Sequence, residues 1–216
     1  MKRIAVLCRH GNTFNKGEKV VMVGAREDLP LTAQGEDQGR AVGQAFKRCG
    51  VAPTFIASGP LLRTRVFAER LKDESGSSCG VEIENRLVEF DYGSWSGLSN
   101  EEIVALHGMD ALIAWQERGE RPSDTCFSPS SEVARADAQT LLADLSLCAG
   151  LSVVVTSNGR LREFGALLSP PQNIASAPYK VRTGGSCVLV LSGNRWEVRG
   201  WDLPASELEA CIRSVS

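Results

Sequence analysis

Three short apolar runs constrain the fold most: Ile4-Ala5-Val6-Leu7-Cys8, Phe55-Ile56-Ala57-Ser58 and Val153-Val154-Val155-Thr156. Each has strand length and leads into glycine and polar residues, so each reads as a buried strand that spills into a loop at its carboxyl end. These are the strands of an open α/β sheet, and ligands of such sheets bind just beyond the carboxyl ends of the strands. The loops at those three ends therefore hold the candidate chemistry.

The first loop is Arg9-His10-Gly11-Asn12-Thr13. It puts a permanent cation beside a nitrogen base, and Gly11 lets the backbone approach whatever lies between them. That combination suits a phosphate. The guanidinium also disfavours imidazolium, so His10 keeps a lone pair for nucleophilic attack. The plain alternative is that Arg9 and His10 begin a polar surface loop, as His is often just an exposed polar residue. At the second strand end, Gly59-Pro60 precedes Leu61 to Leu71. Pro60 fits a first helical position and places Arg63 in the first turn, where free N–H groups and the helix dipole favour an anion. At the third, Ser157-Asn158-Gly159 leads into a helix carrying Arg160 and Arg162.

Four segments, in order, carry a resemblance. Leu7 to Thr13 resembles the Leu-x-Arg-His-Gly-x-Thr signature of the histidine phosphatase superfamily, which includes cofactor-dependent phosphoglycerate mutases and many small-molecule phosphatases. Asp28 to Gln38 is similar to its Asp-x-Pro-Leu-Thr-x-x-Gly-x-x-Gln segment, Ser58 to Ala68 to its Ser-x-Pro-Leu-x-Arg-Ala-x-x-Thr-Ala run, and Leu87 to Gly97 to its Leu-x-Glu-x-x-Phe-Gly-x-Trp-Glu-Gly run.

The resemblance implies a three-layer αβα fold with a mostly parallel central sheet. One domain would span 1–216, with a helical cap inserted at about 99–148 over the carboxyl edge. It implies a phosphomonoester hydrolase that needs neither metal nor cofactor, with His10 attacking phosphorus, Arg9 and Arg63 neutralising the phosphoryl oxygens and Glu89 protonating the leaving oxygen. Glu89 lies among Leu87, Phe90 and Tyr92, and apolar company favours a protonated carboxyl; Asp91 is its nearest competitor. The family has Asn three residues after the motif Thr, whereas Asn15 comes two after Thr13, so Asn12 or Arg26 can substitute as phosphate contacts. Asn158 and Gly159 complete the substrate-binding set. Where the family carries its second histidine this chain has Asn158, which can donate a hydrogen bond but brings no charge. Two alternatives stand beside the hydrolase: a protein of this fold that binds a phosphate ester in a regulatory role, and, less favoured, a mutase.

Composition sets limits. With 216 residues and 43% hydrophobic content the chain can bury a sizeable core, and a net charge of -2 gives no electrostatic case for nucleic acid or an anionic membrane. The expected partner is a small phosphate ester; the sequence is silent on oligomeric state. Met1-Lys2-Arg3 and the following apolar run are too short for a secretory signal, and no stretch has the length of a membrane span. The cysteines, 8, 49, 79, 126, 148, 187 and 211, are odd in number and scattered, which argues for reduced thiols in a cytoplasm and against a zinc site. Strand alternation turns Cys8 away from the side that Arg9 faces.

Between the motifs, residues 14–31 have no clean period and read as a loop over the pocket mouth. A helix is expected from Thr32, as cap, to about Lys47, then a short strand at Val81-Glu82-Ile83. Ser99 to Cys148 reads as two helices around the loop Arg121 to Pro129, with His107 near a helix end rather than in the pocket. Two strands flanking the turn Gly193-Asn194 and a helix from Pro204 complete the chain.

Overall fold

The computed structural model describes residues 2–122, 127–176 and 178–215. The strands are β1 (Arg3–Arg9), β2 (Phe55–Ser58), β3 (Val81–Ile83), β4 (Gly150–Thr156), β5 (Ser186–Ser192) and β6 (Arg195–Leu203). The helices are α1 (Ala33–Cys49), α2 (Leu62–Ser75), α3 (Asn100–His107), α4 (Met109–Ile113), α5 (Ser131–Leu145), α6 (Asn158–Leu168) and α7 (Ala205–Val215).

The strands form one sheet in the order β3-β2-β4-β1-β5-β6. The pairs β2–β3, β2–β4 and β1–β4 are parallel, while β5 and β6 join antiparallel as a hairpin at one end. The three apolar runs are central strands, buried on both faces, which is why they read as near-continuous hydrophobic stretches rather than as alternating ones. Their alternate residues feed two layers. Ile4, Val6, Cys8, Ile56, Val153 and Val155 pack with α1, α2 and α7. Ala5, Leu7, Ala57 and Val154 pack with α5, α6 and Trp201. Thr32 caps α1, its Oγ1 accepting from the Gly35 N–H at 3.1 Å.

Two boundaries differ from expectation. Helix α2 starts at Leu62 with Leu61 as N-cap, so Pro60 precedes the helix; Arg63 is still in the first turn. The expected cap at 99–148 splits in two. Helix α3 ends at Gly108, whose φ of 85° breaks the turn, and α4 continues as a π-helical turn at Ala114–Arg118. Together with Phe90, Tyr92 and Trp95, their side chains Ile103, Leu112 and Trp115 build a separate small core. Helix α5 instead belongs to the sheet: Ala138, Leu141, Leu142 and Leu145 lie in the layer with α6, and only Ala134 reaches the small core. The stretch 123–126, with Cys126, lies outside the described residues. Among the described residues no helix is long and apolar enough to cross a membrane.

Candidate active site

Parallel register brings the motifs together. Arg9 pairs with Thr156 across β1 and β4, and the His10 N–H donates to the Thr156 carbonyl at 3.0 Å, so His10 sits beside Ser157 and Asn158. On the other flank, the Gly184 N–H donates to the His10 carbonyl at 3.0 Å, just ahead of β5. Because β5 is antiparallel, its amino end reaches the same edge. The segment after β3 adds Glu89 and Tyr92.

These ends surround a cavity of about 670 Å³ whose lining includes Arg9, His10, Asn12, Arg63, Glu89 and Asn158. Its outer wall is the 14–31 loop, through Lys19 to Val23, and the cap, through Ser99 to Glu101 and Trp115-Gln116. That matches the expected loop over the mouth.

His10 is only 7% exposed. Its Nδ1 lies 2.8 Å from the Gly11 carbonyl oxygen. A carbonyl only accepts, so Nδ1 carries the proton and the lone pair is on Nε2. Burial, then Arg9, then Arg63, hold its pKa well below the usual histidine value, so the ring is neutral near pH 7.

Arg9 donates through Nη1 to the Val181 carbonyl at 2.6 Å. Arg63 donates to the carbonyls of Glu27 at 2.8 Å and Gly24 at 3.0 Å. Both guanidinium groups thus meet neutral acceptors, and burial lowers the pKa of each. Among the described residues neither guanidinium forms an ion pair, and the largest opposing charge acting on each is that of Glu89 across the cavity.

Glu89 is buried, but its company is more polar than the sequence suggested. Oε1 accepts from the Phe90 N–H at 2.9 Å and Oε2 from the Gly159 N–H at 3.0 Å. The Tyr92 hydroxyl also hydrogen-bonds to Glu89, and burial and that carboxyl raise the Tyr92 pKa well above its usual value. Asp91 is the weaker competitor in geometry as well: its oxygens take the Gly93 N–H at 2.9 Å and Arg26 at 2.8 Å, and it does not line the cavity.

The remaining expected contacts divide. Asn12 lines the cavity, though its Nδ2 donates to Gln34 at 3.1 Å and its Oδ1 accepts from Thr183, which ties the loop to α1 and to the approach to β5. Asn158 lines it with Oδ1 accepting from the Val181 N–H at 2.9 Å, which leaves Nδ2 to donate inward. Gly159 acts through its N–H on Glu89 rather than as a wall of the cavity. Asn15 and Arg26 are not part of the lining. Asn15 bonds to Glu18 at 2.7 and 2.9 Å, and Arg26 pairs with Asp91, because each finds a carboxylate closer than the cavity. His107 lies by Ser94 and Trp95, outside the cavity lining.

Sequence reasoning passed over Tyr92 and left Arg162 open. Arg160 points away, to Asp137 at 2.9 Å and the Arg86 carbonyl, whereas Arg162 lines the cavity. The signal was available: Asn158 and Arg162 are four apart on α6 and share a face, while Arg160 does not. Cys8 lies in the layer opposite to Leu7, and burial pushes its thiol pKa up to about 12. Among the described residues no cluster of three or more His, Cys, Asp or Glu side chains has an arrangement able to hold a metal ion.

Over 124 residues the chain is 32% identical to the 2,3-bisphosphoglycerate-dependent phosphoglycerate mutase of Brucella ovis, covering 56% of this chain and 59% of that protein. The chain thus spans less than two thirds of the length of the curated relatives it matches. Its fold is similar to the solved structure of Mycobacterial hydrolase 1 (TM-score 0.77, 25% identity, 94% of this chain and 100% of that one). It is also similar to a mycobacterial glucosyl-3-phosphoglycerate phosphatase with bound VO3 (TM-score 0.74, 25% identity, 93% and 98%). A putative α-ribazole-5'-P phosphatase of Escherichia coli shares the fold at 18% identity (TM-score 0.71, 93% and 96%). The family model for the histidine phosphatase superfamily (branch 1) matches residues 5–204, and the chain belongs to that family.

Proposed function

We propose that the chain is a metal-independent phosphomonoester hydrolase working through a phosphohistidine on His10. The observation that carries this reading is a neutral imidazole on the cavity wall beside two guanidinium groups that have only carbonyl partners. The Nε2 lone pair attacks phosphorus and the bond to the ester oxygen breaks. Glu89 gives that oxygen a proton as it leaves. Water then attacks the phosphohistidine, Glu89 takes back a proton, and inorganic phosphate departs with His10 neutral again. Arg9 and Arg63 hold the equatorial oxygens, as positioning and electrostatics dominate this reaction class. Asn158, in the place assigned to the family's second histidine, donates Nδ2 to one of those oxygens.

The phosphatase named among the similar structures supports hydrolysis over the mutase reaction of the Brucella relative. A second reading, a phosphate-ester binding protein with little turnover, is favoured by one observation: Asn158 adds no charge and its oxygen is committed to Val181.

Hydrolysis of 4-nitrophenyl phosphate with and without chelator tests the proposal. Chelator-resistant turnover and an acid-labile phosphoenzyme that His10→Ala abolishes are expected. Strict metal dependence, or full activity in His10→Ala, rejects the mechanism, and phosphate binding without any phosphoenzyme selects the second reading.

A further inference from the structure

Phe90 joins two parts of the site that lie on different segments. Its N–H donates to Glu89 Oε1 at 2.9 Å and so holds the carboxyl assigned as proton donor. Its carbonyl accepts from the Ala25 N–H at 2.9 Å, and the carbonyl of the preceding Gly24 accepts from Arg63 at 3.0 Å. A shift of the Phe90 backbone therefore moves Glu89 and the support of Arg63 together. The placement of the Phe90 ring, which is fully buried, thus bears on both.

Two cations hold that ring. The Arg121 guanidinium lies 4.2 Å from its centroid, and that of Arg160 lies 5.5 Å away. Attraction of a cation to the ring quadrupole strengthens where water is excluded. Both cations are anchored in turn. Arg121 pairs with Glu163 of α6 at 2.7 Å and donates to the Pro129 carbonyl at 2.6 Å. Arg160 pairs with Asp137 of α5 at 2.9 Å and donates to the Arg86 carbonyl.

The Arg121–Glu163 pair is nearly dry, its side chains 13% and 12% exposed. Desolvation offsets much of the attraction in such a pair, and apolar side chains of like volume often serve stability as well. A cation tied to a carboxylate and a carbonyl adds direction, which apolar filling does not. Arg121 also lies three residues beyond the π-helical turn that carries Trp115, so it brings the end of the cap onto Phe90.

We propose that Arg121, anchored by Glu163, is a positioning residue: it fixes the Phe90 ring and, through the Phe90 N–H, holds the Glu89 carboxyl at the leaving oxygen. This rests on the hydrolase reading above.

The double variant Arg121→Met/Glu163→Leu tests it, as it removes the cation without leaving the carboxylate buried alone. The quantity read is kcat on ethyl phosphate against kcat on 4-nitrophenyl phosphate, because only the alkyl leaving group depends on the donated proton. General acid catalysis contributes about 10²- to 10⁴-fold, so a carboxyl displaced but present should cost ethyl phosphate about tenfold and 4-nitrophenyl phosphate less than about threefold. KM should hardly move, and Arg121→Lys, which keeps a cation at the ring, should retain most of the parent ratio. Equal losses on both esters, or no loss on either, overturn the proposal; equal losses would make the pair a support of the fold at large. If the double variant does not fold, Arg121→Lys against Arg121→Gln decides: a lower ethyl to 4-nitrophenyl ratio in the Gln variant supports the proposal, and equal ratios reject it. If neither ester is turned over and no phosphohistidine forms, the hydrolase reading fails separately. The Phe90 amide proton then reads the placement directly by NMR. Its resonance should move upfield in the double variant as the bond to Glu89 lengthens, and an unmoved resonance rejects the proposal.

Discussion

The Gly159 N–H donates to Glu89 Oε2 at 3.0 Å, so the first turn of α6 fixes the carboxyl assigned as proton donor. The contact depends on the absence of a side chain. A Cβ at Gly159 would lie 2.5 Å from Glu89 Oε1, 2.7 Å from Phe90 Cδ2 and 2.8 Å from the Tyr92 hydroxyl.

Gly159→Ala therefore displaces Glu89, and misplacement by about 1 Å costs on the order of 10²-fold in rate. The loss should depend on the leaving group. An alkyl phosphate, whose alkoxide needs the proton, should lose about that factor, while 4-nitrophenyl phosphate should lose far less. Equal losses on both substrates, with an unchanged Tm, would assign Glu89 some other task.

The depressed pKa of His10 also sets how stability varies with pH. The folded protein holds this ring neutral well below the pH at which the unfolded chain protonates it, about 6.5. Between those two values the unfolded state binds more protons, so stability falls as pH drops below about 6.5 and levels off only once the folded-state pKa is passed. The slope contributed by this one ring is up to about 1.4 kcal/mol per pH unit. His10→Gln should flatten that slope. Urea midpoints of the two proteins at pH 7.0 and 5.0 check this: the variant should lose less stability than the parent on acidification.

The fold was largely legible because its central strands are buried on both faces. Val6 and Val153 enter one layer, and Leu7 and Val154 the other, so the runs are apolar throughout and their polar ends mark the carboxyl edge. Arg9, His10 and Arg63 could be placed on one cavity wall for the same reason, since each lies at or just beyond the carboxyl end of a strand, whereas Glu89 was singled out by the family resemblance. Asn15 and Arg26 were not, because an aperiodic loop gives no direction to its side chains and both were captured by nearby carboxylates, Glu18 and Asp91. Helix α5 was assigned to the cap by its place in the chain. Its apolar spacing, Ala134, Ala138, Leu141, Leu142 and Leu145, is that of one broad face packed on a layer, which position in the sequence alone does not reveal.

Gly11 tests the link between the His10 loop and α1. A Cβ there would fall on the Gly35 carbonyl oxygen, where the loop crosses the first turn of α1. The Thr32 N–H and Oγ1 both donate to the Asn12 carbonyl, at 2.9 and 3.2 Å, so the two segments cannot separate cheaply. Gly11→Ala is expected to cost about 1–3 kcal/mol of stability, as overpacked sites do. The urea midpoint should fall and the affinity for inorganic phosphate should weaken, because the Arg9 and His10 side chains move with the backbone. A fully stable Gly11→Ala would show that the loop can lift away from α1.

Asn158→His asks whether a histidine at this position, as the family resemblance implies, would change the site. Asn158 Oδ1 accepts from the Val181 N–H, and the Val181 carbonyl in turn accepts from Arg9, so Val181 ties Asn158 to Arg9. In a histidine side chain, Nδ1 occupies nearly the position of that oxygen. To keep the bond it must accept, which forces the proton onto Nε2 and leaves the ring neutral. The substitution then exchanges one neutral donor for another. Since neutral hydrogen bonds contribute about 0.5–1.5 kcal/mol each and 1.36 kcal/mol is a factor of ten, kcat should change by less than about tenfold in either direction. The change should also not grow as the pH is lowered from 7 to 6, because charging the ring would break its contact with Val181. A gain of a hundredfold, or one that appears only below pH 6.5, would show that the pocket accepts a cation at position 158.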